Sequence, residues 1–150
     1  MTKLKEQLHE DLTAAIRVRD ELRASTIRLT LAAVTSEEVA GKQKRELSDA
    51  EVLKVIGREA KKRREAAEAF DTAGRTDQAA RERAEGELLA TYLPKPLTDE
   101  ELAAIVAAAV TESGATGPQA MGAVMKLVKP KVEGLAEGGR VAAAVKAALS

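Results

Sequence analysis

Two arrays of basic side chains are the most suggestive chemistry in this sequence. Lys126, Lys129, Lys131, Arg140 and Lys146 face only Glu133 and Glu137 within residues 118 to 150, five basic groups against two acidic ones and a surplus of +3. Such a surplus suits phosphate oxygens. Lys61-Lys62-Arg63-Arg64, with Lys54 and Arg58 upstream, would form a second stripe along a helix. Four consecutive helical residues point in different directions, however. Glu59 with Arg63, Lys61 with Glu65 and Arg64 with Glu68 fall at i, i+4, so most of that run reads as a solvated face that neutralises itself. Other chemistry is poorly supplied. His9 is the only histidine, and neither a triad nor a zinc site can be assembled around it. Neighbouring carboxylates, Glu37-Glu38 and Glu100-Glu101, would work as acid and base only where a pocket raised one pKa. The chain has no cysteine, which removes thiol catalysis, thiolate metal sites and disulfides, and Phe70 and Tyr92 are its only aromatics, which removes stacking platforms for bases. Gly138-Gly139 follows no strand and is too short for a phosphate loop. No metal, no cofactor and no self-sufficient catalytic site is expected.

Helices must position these groups. The 150 residues are 45% hydrophobic and 32% charged, with 24 basic and 24 acidic side chains, so the chain folds around a real core and carries no overall field to attract nucleic acid or membrane. Leu4, Leu8, Leu12, Ala15 and Ile16 predict a helix over about 3–18. Asp20 caps a second helix holding Leu22, Ile27, Leu29, Leu31 and Val34, which is apolar on more than one face and ends at Gly41. Leu47-Ser48-Asp49-Ala50-Glu51-Val52 is a full start signal, with Ser48 capping, Glu51 closing the box and Leu47 stapled onto Val52. That third helix runs past Ile56, Ala60, Ala67 and Phe70 to Gly74. A fourth buries Leu88, Leu89, Tyr92 and Leu93 before Pro94-Lys95-Pro96 stops it.

Beyond the prolines the same grammar returns, with Leu97 stapling to Leu102, Thr98 capping and Glu101 closing the box. This fifth helix reaches Gly114. Thr116-Gly117-Pro118-Gln119 opens a sixth whose Met121, Val124, Met125 and Val128 share one face, and Pro130 kinks or ends it. Val141, Ala144, Val145, Ala148 and Leu149 repeat the spacing in a seventh. The expected architecture is all-α, with a four-helix domain over 1–93, a proline joint at 94–96 and a three-helix domain over 97–150. The second is small for independent stability, so docking on the first is expected.

Arg23, Ile27-Arg28-Leu29, Glu37-Glu38, Glu51-Val52-Leu53, Arg58-Glu59, Phe70, Ala73-Gly74-Arg75, Glu85 and Tyr92-Leu93-Pro94, in this order and spacing, resemble the GatB/YqeY family. Gly114-Ala115-Thr116, Met121-Gly122-Ala123-Val124-Met125, Pro130-Lys131-Val132 and Gly134 are similar to the tail module shared by stand-alone YqeY proteins and the B subunit of the glutamyl-tRNA(Gln)/aspartyl-tRNA(Asn) amidotransferase. The resemblance implies a two-part all-α fold. It also implies a link to transamidation, a carbon-nitrogen ligase reaction with glutamine as amido-N-donor, in which the B-subunit tail holds tRNA while other domains catalyse. Those catalytic domains have no counterpart here. The pattern departs at Leu135 and Gly139, positions often basic in relatives, and at Ala142, where Asn is common.

The expected function is therefore a noncatalytic module that binds tRNA, or a partner enzyme handling aminoacyl-tRNA. The candidate contacts are Lys126, Lys129, Lys131 and Arg140, with Gly122 open to a close backbone approach, and Lys54, Arg58, Lys61 and Lys62 as a secondary stripe. The alternative is a protein-protein adaptor that binds no nucleic acid. Three to five phosphate contacts would give log affinity a slope of roughly −3 to −5 against log salt, and an adaptor would give none. The residues carry no export signal and no membrane span, so the cytoplasm is the expected location.

Overall fold

A computed structural model describes residues 2–150. Among the described residues there are seven α-helices and no strand. The chain divides into two compact units, one up to Leu93 and the other from Pro94 on.

The N-terminal unit contains α1 (Lys3–Arg17), α2 (Glu21–Glu38), α3 (Asp49–Thr72) and α4 (Thr76–Ala90). Leu8, Ile27, Val34, Leu47, Val52, Val55, Ile56 and Leu89 are among its fully enclosed side chains, with Leu4, Leu12, Tyr92 and Leu93 packed around them. The start of α3 follows from its sequence. The Ser48 hydroxyl accepts the Glu51 N–H, the Glu51 carboxylate accepts the Ser48 N–H, and Leu47 is buried in one cluster with Val52. Its end is a Schellman turn, in which Gly74 at φ +76° lets its own N–H reach the Asp71 carbonyl and the Arg75 N–H reach that of Phe70. The same turn closes α1, but there the left-handed position is held by Arg19 at φ 57°. The α3 and α4 helices form the unit's largest interface, in which Gly86 of α4 faces Ala60 and Arg63 of α3.

Several expectations are corrected. Ile16 and Leu29, which their spacing assigns to the core, are 49% and 56% exposed. The spacing that carries Leu8 and Ile27 inward turns these two outward, because neighbouring helices cover only one side of α1 and α2. The second helix stops at Glu38, before Gly41, because the Glu38 carbonyl is taken by the Arg45 N–H at 3.0 Å, which folds residues 39–46 back on the helix end. Its carboxylate is buried too. It receives Lys5 Nζ at 2.8 Å and the Leu47 N–H at 3.2 Å, tying α1, α2 and the loop together. Likewise α4 ends at Ala90, four residues ahead of Pro94, as Thr91, Tyr92 and Leu93 tighten to i−3 bonds.

The tail unit contains α5 (Asp99–Ser113), a 3-10 turn (Pro118–Ala120), α6 (Met121–Val132) and α7 (Gly138–Leu149). The box at Thr98 and Glu101 is formed, and Gly114 closes α5 at φ 65°. Pro130 does not end α6. It lies on an exposed side near the terminus, and the helix runs on to Val132. There the missing proline N–H deprives only the Lys126 carbonyl of its usual donor, at a position open to water. Leu102, Val106, Ala109, Val124, Val128, Val132, Val141 and Val145 form the buried core. Ala148, placed on that face by its spacing, is exposed in the last turn of α7.

Candidate functional site

Helix α6 organises the tail surface. Val124, Val128 and Val132 are buried and Met121 and Met125 are half-buried, which fixes the direction of every other side chain on the helix. At 3.6 residues per turn, or about 100° per residue, Gly122, Lys126 and Lys129 then fall within about 60° of one another on one flank. Both lysines are exposed, and no acidic partner is found for either among the described residues. Gly122 faces open space.

The other two candidates lie elsewhere. Lys131 sits roughly 140° to 160° around the axis from that flank, where its amine is 3.7 Å from the Glu112 carboxylate of α5. Arg140 is half-buried and engaged. Its Nη2 donates to the Leu97 carbonyl at 3.0 Å and to the Asp99 carboxylate at 2.8 Å, pinning the first turn of α7 to the start of α5. The Leu97 N–H completes this junction by donating to the Leu135 carbonyl at 2.9 Å. Sequence spacing carries no signal for the junction, because its partners are about 40 residues apart.

Beside Lys129 lies a cleft of about 520 Å³, bounded by the last turns of α6, residues 133–137 and the start of α7. Met125, Pro130, Val132, Ala136 and Val141 give it apolar walls. No motif or spacing anticipates it, since it is made by the turn at Gly134, φ +78°, which directs the chain away from α6 before α7 begins.

In the N-terminal unit the secondary stripe is paired. Arg58 meets Glu37 at 3.3 Å, Lys61 meets Glu65 at 4.0 Å, Lys62 meets Glu59 at 3.0 Å, and Lys54 is engaged as well. Arg63 differs from the i, i+4 expectation. It turns to α4, which packs alongside α3, and meets Glu82 at 3.2 Å and Glu85 at 3.7 Å.

The acidic pairs are structural in their geometry. Hydrogen bonding to Lys5 holds the Glu38 carboxyl below the ordinary range, Arg45 and the Ser48 N–H bring Glu51 down to about 2, and the Thr98 N–H lowers Glu101. Carboxylates shifted this way stay ionised at neutral pH and have no proton to give as a general acid. Tyr92 donates its hydroxyl to Asp11, and its pKa is pushed up by burial and by that carboxylate. His9 is exposed on α1. Among the described residues no group of three or more His, Cys, Asp or Glu side chains is placed to hold a metal ion, and no helix is long and apolar enough to cross a membrane.

These features define an all-helical protein of two compact units, with two exposed lysines on one flank of a tail helix for which no acidic partner is found among the described residues. The chain belongs to the YqeY-like family, whose model, described as Yqey-like protein, matches residues 5–149. No curated protein matches it by sequence.

Proposed function

We propose that this YqeY-like chain is a noncatalytic cytoplasmic module that binds tRNA through the Gly122, Lys126 and Lys129 flank of α6. The observation that carries the reading is the pair of exposed lysines, without acidic partners among the described residues, on the helix that resembles the tRNA-holding tail of the amidotransferase B subunit. Lysine offers a point charge and no bidentate fork, so contact is made to the RNA backbone and tRNAs of different sequence bind alike. Arg140 contributes by holding α7 to α5 and leaves the phosphate contacts to the lysines. Two contacts from Lys126 and Lys129, with a third from Lys131 when it leaves Glu112, give a slope of log affinity on log salt of roughly −2 to −3. Filter binding of several tRNAs between low and physiological salt measures it. A flat profile, or no binding at low salt, removes the reading.

A protein adaptor is the second reading, favoured by apolar side chains left exposed on the N-terminal unit, Leu29 at 56% and Val39 at 52%. An adaptor without nucleic acid would bind no tRNA at any salt and would lose its partner when Leu29 is replaced by Lys.

A further inference from the structure

The cleft next to Lys129 places apolar walls beside unpaired positive charge. Its volume of about 520 Å³ falls in the range of roughly 300–1,000 Å³ typical of sites for small organic groups. Met125, Pro130 and the buried Val132 are among its apolar lining residues. Lys129 also lines the cleft, and Lys126 lies about one turn earlier on the same flank.

We propose that this cleft receives one unpaired nucleotide of a bound tRNA, its base against Met125 and Pro130 and its flanking phosphates on Lys126 and Lys129. The inference rests on the tRNA reading above and specifies which part of the RNA this face selects. Extruded bases are held between apolar side chains when aromatics are absent, and a thioether makes favourable contact with an aromatic ring. A base inside a duplex cannot enter, so a fully paired RNA gains the lysine contacts alone. Glu133 also lines the cleft and is engaged within the protein. It follows Lys129 by four residues on the same flank, and its charge repels phosphate, so the RNA backbone runs from Lys129 toward Lys126, away from Glu133. The occupant is an RNA nucleotide, and an acidic peptide is disfavoured, because two cations spaced one helical turn apart beside an apolar slot match a phosphate-base-phosphate unit.

Gly138 supplies the test. It lines the cleft, a Cβ there would meet nothing within 4 Å, and its φ lies outside the left-handed region, so the backbone accepts a side chain and Gly138→Leu is expected to narrow the cleft. The full-length protein is titrated with a folded tRNA transcript and with a blunt RNA duplex of similar length that has no unpaired nucleotide. The parent is expected to bind the tRNA about five- to tenfold more tightly, the lower end of what one stacked base contributes. Gly138→Leu is expected to bring tRNA binding down to the duplex level and to leave the duplex unchanged, with Gly138→Ala close to the parent on both. A Gly138→Leu protein that binds tRNA as the parent does, or loses both RNAs equally, overturns the proposal. The fluorescence of 2-aminopurine placed at unpaired positions needs no variant. A change confined to one position on binding supports insertion, and no change at any position refutes it. A parent that binds neither RNA at low salt, or an acidic peptide displaced by Gly138→Leu in place of RNA, removes the tRNA reading and this inference with it.

Discussion

Replacing Lys5 by Met tests whether the buried pair beneath residues 39–46 holds the N-terminal unit together. Glu38 has 5% of its side chain accessible and Lys5 15%, and the carboxylate also accepts the Leu47 N–H at the head of α3. Removing one member of a buried pair costs about 3–5 kcal/mol, because the other is left charged and unmatched. Here Lys5 sits close enough to water to place the loss at the lower end, about 3 kcal/mol. Glu38→Gln keeps an acceptor for Leu47 and lets the lysine swing outward, so about 1–2 kcal/mol is expected. The double variant should cost less than the sum, with a coupling of about 2 kcal/mol. Urea titration followed by tyrosine fluorescence isolates this unit, since Tyr92 is the only tyrosine and the chain has no tryptophan. The pH dependence has a definite sign. The Glu38 carboxyl is lowered in the folded state, so its contribution is present above the unfolded carboxylate pKa, about 4.3, and is lost as pH falls through the folded value. The Lys5→Met deficit is therefore full at pH 7 and shrinks below about pH 4. Single variants that add to within about 0.5 kcal/mol, or a deficit independent of pH, would refute the reasoning.

Arg19→Gly should stabilise by about 0.5–1 kcal/mol, read by urea midpoint, because Arg19 occupies the left-handed position of a Schellman turn that glycine fills without strain. Ser48→Ala and Thr98→Ala should each cost about 1 kcal/mol, and an unchanged midpoint at either would mean its box contributes nothing. Lys126→Ala with Lys129→Ala should reduce the salt slope of tRNA binding by about two, whereas Arg140→Ala should leave the slope intact and lower the melting temperature of the tail helices. Expressed apart, residues 1–93 should melt cooperatively and residues 97–150 only marginally, a difference circular dichroism would measure.

The helices were legible because their signals are local. Ser48 with Glu51, Thr98 with Glu101, and Gly74 act over three or four residues, and each does in the structure what its type and spacing demand. Leu29 misled because periodicity says which residues share a face and is silent on whether a neighbour covers it. The candidate site was half legible. Lys126 and Lys129 could be placed by counting from Val124 and Val128, but the engagement of Arg140 with Asp99 and Leu97 depends on how α7 returns to α5, which no local pattern encodes. Arg63 failed for a related reason, because Glu82 and Glu85 reach it from the opposite helix, which spacing along α3 alone does not register.

Six of the eight residues in the tail core are valine. In a helix a valine side chain is already restricted to essentially one rotamer before anything packs on it, so its ordering on folding surrenders little freedom. The apolar area gained is small too, and with it the heat capacity of unfolding, which follows that area. The stability curve of the tail unit should accordingly be low and flat: a broad thermal transition, little sensitivity to cooling, and side chains that hold one arrangement up to the temperature at which the helices separate.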